Sequence, residues 1–284
     1  MDPRARPTEP FDWAWSLHPS VLIGTGLLGA LYFYGIGPLR RRYHWGPPAS
    51  PGQILSFSTA LLVLLLSLNG PVHDLSDYYL FSVHMVQHLV LTLVFPPLLL
   101  GGLPGWLLRP LLVRRGVLPV ARLLTKPLVA AVVFSAVVAV WHLSPFYDLM
   151  MRSHEVHIAT HLMFLGAATL MWWPIMSPLE ELPGLSSGLG MLYLFLVGIP
   201  MQAVAALITF SDHILYPWYV AAPRTFGLSP LDDQRLGGLL MWIPGNLWIF
   251  AAIAVLFFRW AREEDEETAR GTAIRQATLH HPRA

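Results

Sequence analysis

Apolar residues fill seven stretches of this chain, each on the order of 20 residues and so long enough to cross a hydrocarbon layer as a helix. They run approximately over 18–38, 52–70, 78–100, 127–143, 155–175, 188–210 and 235–258. Proline and glycine break the pattern between them, at Gly46-Pro47-Pro48, Gly101-Gly102-Leu103-Pro104 and Pro183-Gly184. Inside the third stretch, Pro96-Pro97 predicts a kinked or shortened inner end, because each proline removes a helix hydrogen bond. The pattern predicts an all-α polytopic membrane protein built as a bundle of seven transmembrane helices. Composition agrees: 55% of the 284 residues are hydrophobic and 12% charged, which excludes a soluble globule. The first residues, MDPRARPTEPFDWAW, lack an apolar core followed by a small-residue cleavage site, so no removable signal peptide is expected.

The net charge of +1 says little, because the basic residues are segregated. Arg40, Arg41 and Arg42 follow the first stretch; Arg109, Arg114, Arg115, Arg122 and Lys126 lie between the third and fourth. Arg259, Arg262, Arg270, Arg275 and Arg283 follow the seventh. The opposite loops hold Arg152, Arg224 and Arg235, with Arg4 and Arg6 in the N-terminal tail. Cytoplasmic loops are rich in lysine and arginine, so the N-terminus is expected outside and the C-terminus in the cytoplasm. The short fifth–sixth loop, with Glu180 and Glu181, is the one cytoplasmic loop without a basic marker. The chain then divides into an extracytoplasmic tail (1–17), a membrane domain (18–258) and a cytoplasmic polar tail (259–284). The run Glu263-Glu264-Asp265-Glu266-Glu267 predicts a frayed or disordered extension.

Within this apolar background stand two HxxxH pairs, His84/His88 and His157/His161. An ionisable side chain in hydrocarbon is costly, which makes each a functional-site hypothesis. Spacing of i and i+4 puts each pair on one helix face, one turn apart. In the expected orientation all four lie in the outer part of the membrane, with His142 ending the fourth segment on the same side. His73, His154 and His213 fall in outer loops or at their edges. The chain has no cysteine, so a transition metal would be held by imidazole, thioether or oxygen. Neutral imidazole suits copper, zinc and iron. The candidate metal ligands are therefore His84, His88, His157, His161, His142, His73 and His154. His154 continues the face of the second pair, and Met150-Met151 beside it offers soft sulfur. Asp74 and Asp212, each next to a histidine, and Gln202, a polar group in the sixth segment, are candidates to orient the ligating rings. The alternative for every one of these histidines is a hydrogen bond that only holds helices together.

A weak internal repeat points to the same region. Pro71-Val72-His73-Asp74-Leu75 precedes the first HxxxH pair, and Pro145-Phe146-Tyr147-Asp148-Leu149 precedes the second at nearly the same distance. Two parallel hairpins with facing histidine pairs would produce this pattern. The chain carries no nucleotide-binding glycine loop, nucleophile elbow or paired-carboxylate arrangement, and its basic residues mark topology rather than a nucleic-acid patch.

The order His84-Met85-Val86-Gln87-His88, Trp141-His142, His157-Ile158-Ala159-Thr160-His161 and Trp172-Trp173-Pro174 is followed by a distal run. That run is Ser229-Pro230-Leu231-Asp232-Asp233-Gln234-Arg235-Leu236-Gly237-Gly238, leading to Met241-Trp242-Ile243-Pro244-Gly245. Together these resemble the CtaG-like family of bacterial seven-helix membrane proteins, cytochrome c oxidase assembly factors, over roughly residues 15–260. A cysteine-containing copper-insertion family shares that name, and this chain does not resemble it. The resemblance implies a multi-pass protein of the bacterial cytoplasmic membrane that is not an enzyme and acts in the maturation of a haem–copper oxidase of the respiratory chain. It implies copper as cargo and oxidase subunits as partners, with extracytoplasmic copper chaperones as a candidate source. Two further readings stay open: a haem b-binding electron-transfer protein with one axial histidine from each pair, and a metal-free assembly scaffold.

Overall fold

A computed structural model describes residues 10–280 and is helical throughout, with no strand among them. The outermost parts of both expected tails, residues 1–9 and 281–284, lie outside the described residues. The helices are α1 (Pro19–Tyr34), α2 (Arg40–Tyr43), α3 (Pro51–Ser67), α4 (Gly70–Tyr78), α5 (Phe81–Leu89), α6 (Phe95–Gly102) and α7 (Gly105–Leu112). They continue with α8 (Leu118–Leu124), α9 (Pro127–Trp141), α10 (Ser144–Arg152), α11 (His154–Met176), α12 (Ser187–Thr209) and α13 (Pro230–His280). Five helical segments are each long and apolar enough to cross a membrane: Pro19–Tyr43, Phe81–Gly102, His154–Met176, Ser187–Thr209 and Pro230–Arg270. Two more appear when bent pairs are joined, α3 with α4 at 49° and α8 with α9 at 69°, giving up to seven. The helices leave large apolar side chains such as Leu128, Leu162, Leu207 and Val255 exposed on their outer faces. A bundle that is apolar outside as well as inside suits a lipid solvent.

The bends follow from local chemistry. Gly70 has φ of +65°, a left-handed conformation open to glycine, and its missing Cβ makes room for the ring of Trp15. Pro71 and Pro127 each start a helix, where a proline costs no hydrogen bond, and disfavour helix in the residue before them. Pro96-Pro97 does not break its span. The ladder instead slips into a π-helical turn over Val90–Val94 and resumes as α6. The polar C-terminal run differs from expectation: α13 continues unbroken to His280 instead of fraying. Pairs one turn apart, Arg259–Glu263 and Glu266–Arg270, line its surface and support the helix.

Side-chain contacts define two ends of the bundle. At one end Trp106 packs against Gly46, Arg109 pairs with Glu181, and Ser187 donates to Glu263. The arginine-rich connections therefore share one end with the Glu180–Glu181 loop. At the other end the backbone of Gly70 donates to Ser16, that of His18 to Asn69, and that of Phe11 to the Thr225 hydroxyl. His73, His84, His88, His142, His157 and His161 collect at this second end, whereas His44 lies at the first.

Candidate metal centre

Two short helices and two long ones build the centre. The nine-residue helices α4 and α10 each lead, across a break, into a helix bearing an HxxxH pair, α5 and α11 respectively. The repeat seen in the chain thus corresponds to a repeated element. Ser153 caps α11, accepting from the Val156 N–H at 3.3 Å. The start of α5 is capped from across the bundle by Asp233 in the first turn of α13. Its carboxylate accepts from Phe81 N at 2.7 Å, Ser82 N at 3.1 Å and the Ser82 hydroxyl at 2.5 Å. Gly237, one turn later, lets α13 approach so closely that a Cβ there would lie 2.5 Å from the Phe81 ring. Gln234 accepts from Leu215 N and donates to the His213 carbonyl, fixing the loop that follows α12. The distal Asp-Asp-Gln-Arg-Leu-Gly-Gly run therefore acts by setting the helix that presents His84 and His88.

The four HxxxH histidines, His142 and His73 converge, all buried. One ring nitrogen from each of His84, His88 and His161 lies within 4.8 Å of the other two, an arrangement that could hold a metal ion. His84 Nε2 and His88 Nε2 are 2.9 Å apart. A neutral imidazole carries one N–H, so in this pair one ring donates and the other accepts. The His88 Nδ1 finds no hydrogen-bond partner, and the His84 Nδ1 faces the Asp77 carboxylate at 4.0 Å. His142 caps the end of α9 with its ring against His88, the centroids 5.6 Å apart. Its Nδ1 lies 2.7 Å from the Val138 carbonyl, which can only accept. His142 Nδ1 therefore holds the proton and Nε2 is a bare, buried lone pair without a hydrogen bond. Imidazoles that ligate metals are commonly held this way, the far nitrogen donating to a carbonyl.

The backbone beside His88 is held in turn. The Thr92 hydroxyl donates to the His88 carbonyl at 2.7 Å, and Trp172 Nε1 of α11 donates to the Thr92 carbonyl at 2.9 Å. Both contacts fall at the π-helical turn, where the ladder is out of step. His161 serves the cluster and also lines an apolar cleft of about 860 Å³ between α1, α3, α8 and α11.

A carboxylate that the sequence did not single out sits beside these rings. Asp77 of α4 is 2% exposed. Its Oδ1 lies 3.5 Å from His157 Nε2 and 4.0 Å from His84 Nδ1, and its Oδ2 lies 3.6 Å from His73 Nε2. Spacing could have found it, since His73 and Asp77 are i and i+4 on a helix. The 3₁₀ turn Pro217–Ala221 locks this part of α4. Trp218 Nε1 donates to the Asp77 carbonyl and the Tyr219 hydroxyl to the Ser76 carbonyl, each at 2.7 Å. The Tyr147 and Tyr219 hydroxyls are 2.9 Å apart. Tyr219 spends its proton on Ser76, so Tyr147 donates to Tyr219. Burial holds both phenols well above their ordinary value of 10, so both stay neutral.

The remaining candidates fall elsewhere. His154 is exposed at the start of α11. Asp212 is exposed and paired with Arg235. Gln202 exchanges amide hydrogen bonds with Asn246 between α12 and α13, outside the histidine cluster. Asp74 pairs with His18 at 3.4 Å, and the His18 ring meets His73 edge-on at 4.4 Å. His18 stands at the very start of the first apolar stretch with no histidine near it in the chain, so spacing does not mark it. Met150 and Met151 are fully buried in the main apolar core.

A family model described as cytochrome c oxidase caa3 assembly factor matches residues 30–263. Uncharacterized proteins of Mycobacterium bovis and Mycobacterium tuberculosis are each 27% identical to the chain over 269 residues, 88% of this chain and 40% of theirs. One of Mycobacterium leprae is 25% identical over 261 residues, covering 86% of this chain and 39% of its own. The chain thus spans about two fifths of the length of these relatives. No solved structure matches it.

Proposed function

This chain belongs to the cytochrome c oxidase caa3 assembly factor family, and from that premise we propose that it is a non-enzymatic copper carrier of the bacterial cytoplasmic membrane. It holds the ion on His84, His88 and His161 and passes it to an oxidase subunit within the bilayer. The observation that carries the reading is the convergence of these three buried imidazoles, with nitrogens within 4.8 Å of one another. Imidazole is a good copper ligand, and three ligands leave a position open through which an ion can leave. His142 supplies a fourth lone pair beside His88. The histidine-rich end faces outward in the positive-inside orientation, where copper arrives from extracytoplasmic chaperones.

The geometry favours an ion over haem b. The His84 and His88 rings meet at a centroid distance of 4.4 Å, and His84 and His88 lie 6.4 and 6.3 Å from His161. A macrocycle with axial histidines from the two pairs would have to pass between rings already packed together.

The test is copper content and optical spectrum of the purified, detergent-solubilised protein after loading. The wild type is expected to retain copper and show no Soret band. A His88→Ala, His161→Ala double variant should lose the copper and lower oxidase activity in cells while staying in the membrane. Unchanged copper in the double variant overturns the triad, and a Soret band with stoichiometric haem replaces the carrier with an electron-transfer protein.

A further inference from the structure

We propose that the apolar cleft between α1, α3, α8 and α11 seats an anionic phospholipid, its acyl chains between the helices and its phosphate at the arginine-rich end. This site is separate from the metal centre and stands whether or not the chain carries copper. The cleft holds about 860 Å³, within the roughly 300–1,000 Å³ of small-molecule sites. Leu28, Leu99 and Leu165 are among its walls. Gly24 of α1 and Gly166 of α11 also line it, and a Cβ added at either meets no atom within 4 Å. The helices therefore leave open space there for a chain. Trp173 and His161 both belong to the wall, and α11 rises about 18 Å between them at 1.5 Å per residue. One leaflet of hydrocarbon is about 15 Å deep, half of the bilayer core. Acyl chains rooted at the Trp173 end thus run along the cleft to the level of His161.

The headgroup end is set by α8. Val117, Val120, Ala121 and Leu124 line the cleft at i, i+3, i+4 and i+7, one face of this short helix and its cap. The helix is bent 69° from α9, so it lies across the direction of that span. Arg114 and Arg115 stand between the lining residues Leu112 and Val117. Arg122 comes three residues before the lining Thr125, and Lys126 directly after it. All four cations are exposed, and none has an acidic partner among the described residues, whereas Arg109 of α7 pairs with Glu181. Basic groups at the cytoplasmic mouth of a cleft between membrane helices suit the phosphate of an anionic lipid. The positive-inside rule accounts for the sign of these residues but not for their grouping around an apolar opening. A partner's transmembrane helix would fit the apolar walls but leave the four charges without a counterpart.

Dioleoyl phosphatidylglycerol and dioleoyl phosphatidylcholine test the proposal, because they share their chains and differ in headgroup charge. Purified, delipidated protein in a neutral detergent is expected to gain thermal stability with phosphatidylglycerol. It should retain that lipid as a one-lipid adduct in native mass spectrometry, several-fold more than phosphatidylcholine. Gly166→Leu fills the open part of the cleft, leaves every cation in place, and should abolish the adduct. Changing Arg114, Arg115, Arg122 and Lys126 together to Gln should leave a weaker adduct that no longer distinguishes the two lipids. An elution profile and a Zn2+ content matching the wild type show that each variant is folded; Zn2+ reports on the histidine site without redox change. Equal retention of the two lipids by the wild type removes the anionic selection and overturns the proposal. Preferential phosphatidylglycerol binding that survives Gly166→Leu puts the lipid on the charged surface instead of in the cleft, and also overturns it. No adduct with either lipid overturns it too, and leaves the cleft to a protein helix.

Discussion

At the scale of single residues, the centre is held by side chains whose proton counts admit one solution. Asp233 is the clearest: it is fully buried and satisfies two backbone N–H groups and a hydroxyl at the start of α5. Asp233→Ala leaves those donors without an acceptor. It should lower the thermal midpoint in detergent and weaken Zn2+ binding, because a stranded buried donor costs about 1–3 kcal/mol. Asp233→Asn keeps one accepting oxygen and should lie between the two. A midpoint unchanged in Asp233→Ala would show that the start of α5 finds other acceptors. The sequence made the paired histidines legible, because i and i+4 spacing in an apolar helix has few readings. Adjacency to His73 points to Asp74, whereas i and i+4 spacing from His73 points to Asp77. Adjacency to a histidine was the weaker guide, since successive residues on a helix point 100° apart while residues four apart share a face. Asp212 and Gln202 lie away from the rings for the same reason: a polar residue near the right depth can face another helix.

At the scale of elements, the apolar stretches gave the helices, and local breaks in them needed tertiary partners to interpret. The expected kink at Pro96-Pro97 is instead a π-helical turn ahead of the prolines. That slip leaves the carbonyls of His88 and Thr92 to be taken by Thr92 and Trp172. Nothing in the third segment alone announces the indole that completes it. Trp172→Phe keeps an aromatic side chain, smaller than the indole, and removes the donor, a loss of about 1 kcal/mol. It is expected to weaken Zn2+ binding several-fold by loosening the turn after His88. Trp173→Phe removes a comparable donor, to the Leu182 carbonyl at the arginine-rich end. It should lower stability without changing Zn2+ affinity. Equal affinity losses in the two variants would mean that the effect is general softening and not support of the His88 turn.

At the scale of the whole molecule, charge and chemistry are separated along the bundle. The connections bearing Arg40–Arg42 and Arg109–Lys126 lie at one end, tied to the acidic fifth–sixth loop by Arg109–Glu181. The absence of a basic residue in that loop is thus made good by its neighbour. The clustered histidines, Asp77 and the loop carrying Asp212 lie at the other end. The positive-inside rule predicts that the histidine end faces outward, the side from which the proposed carrier would receive copper. The chain has no cysteine, so single cysteines report sidedness without background. Asp212→Cys, exposed at the histidine end, should react with a membrane-impermeant thiol reagent in spheroplasts. Arg115→Cys and Glu180→Cys, exposed at the arginine end, should react only after the membrane is opened. Labelling in the reverse order would place the histidines on the cytoplasmic side. The copper source would then be cytoplasmic and the direction of transfer inverted, with the triad itself unaffected.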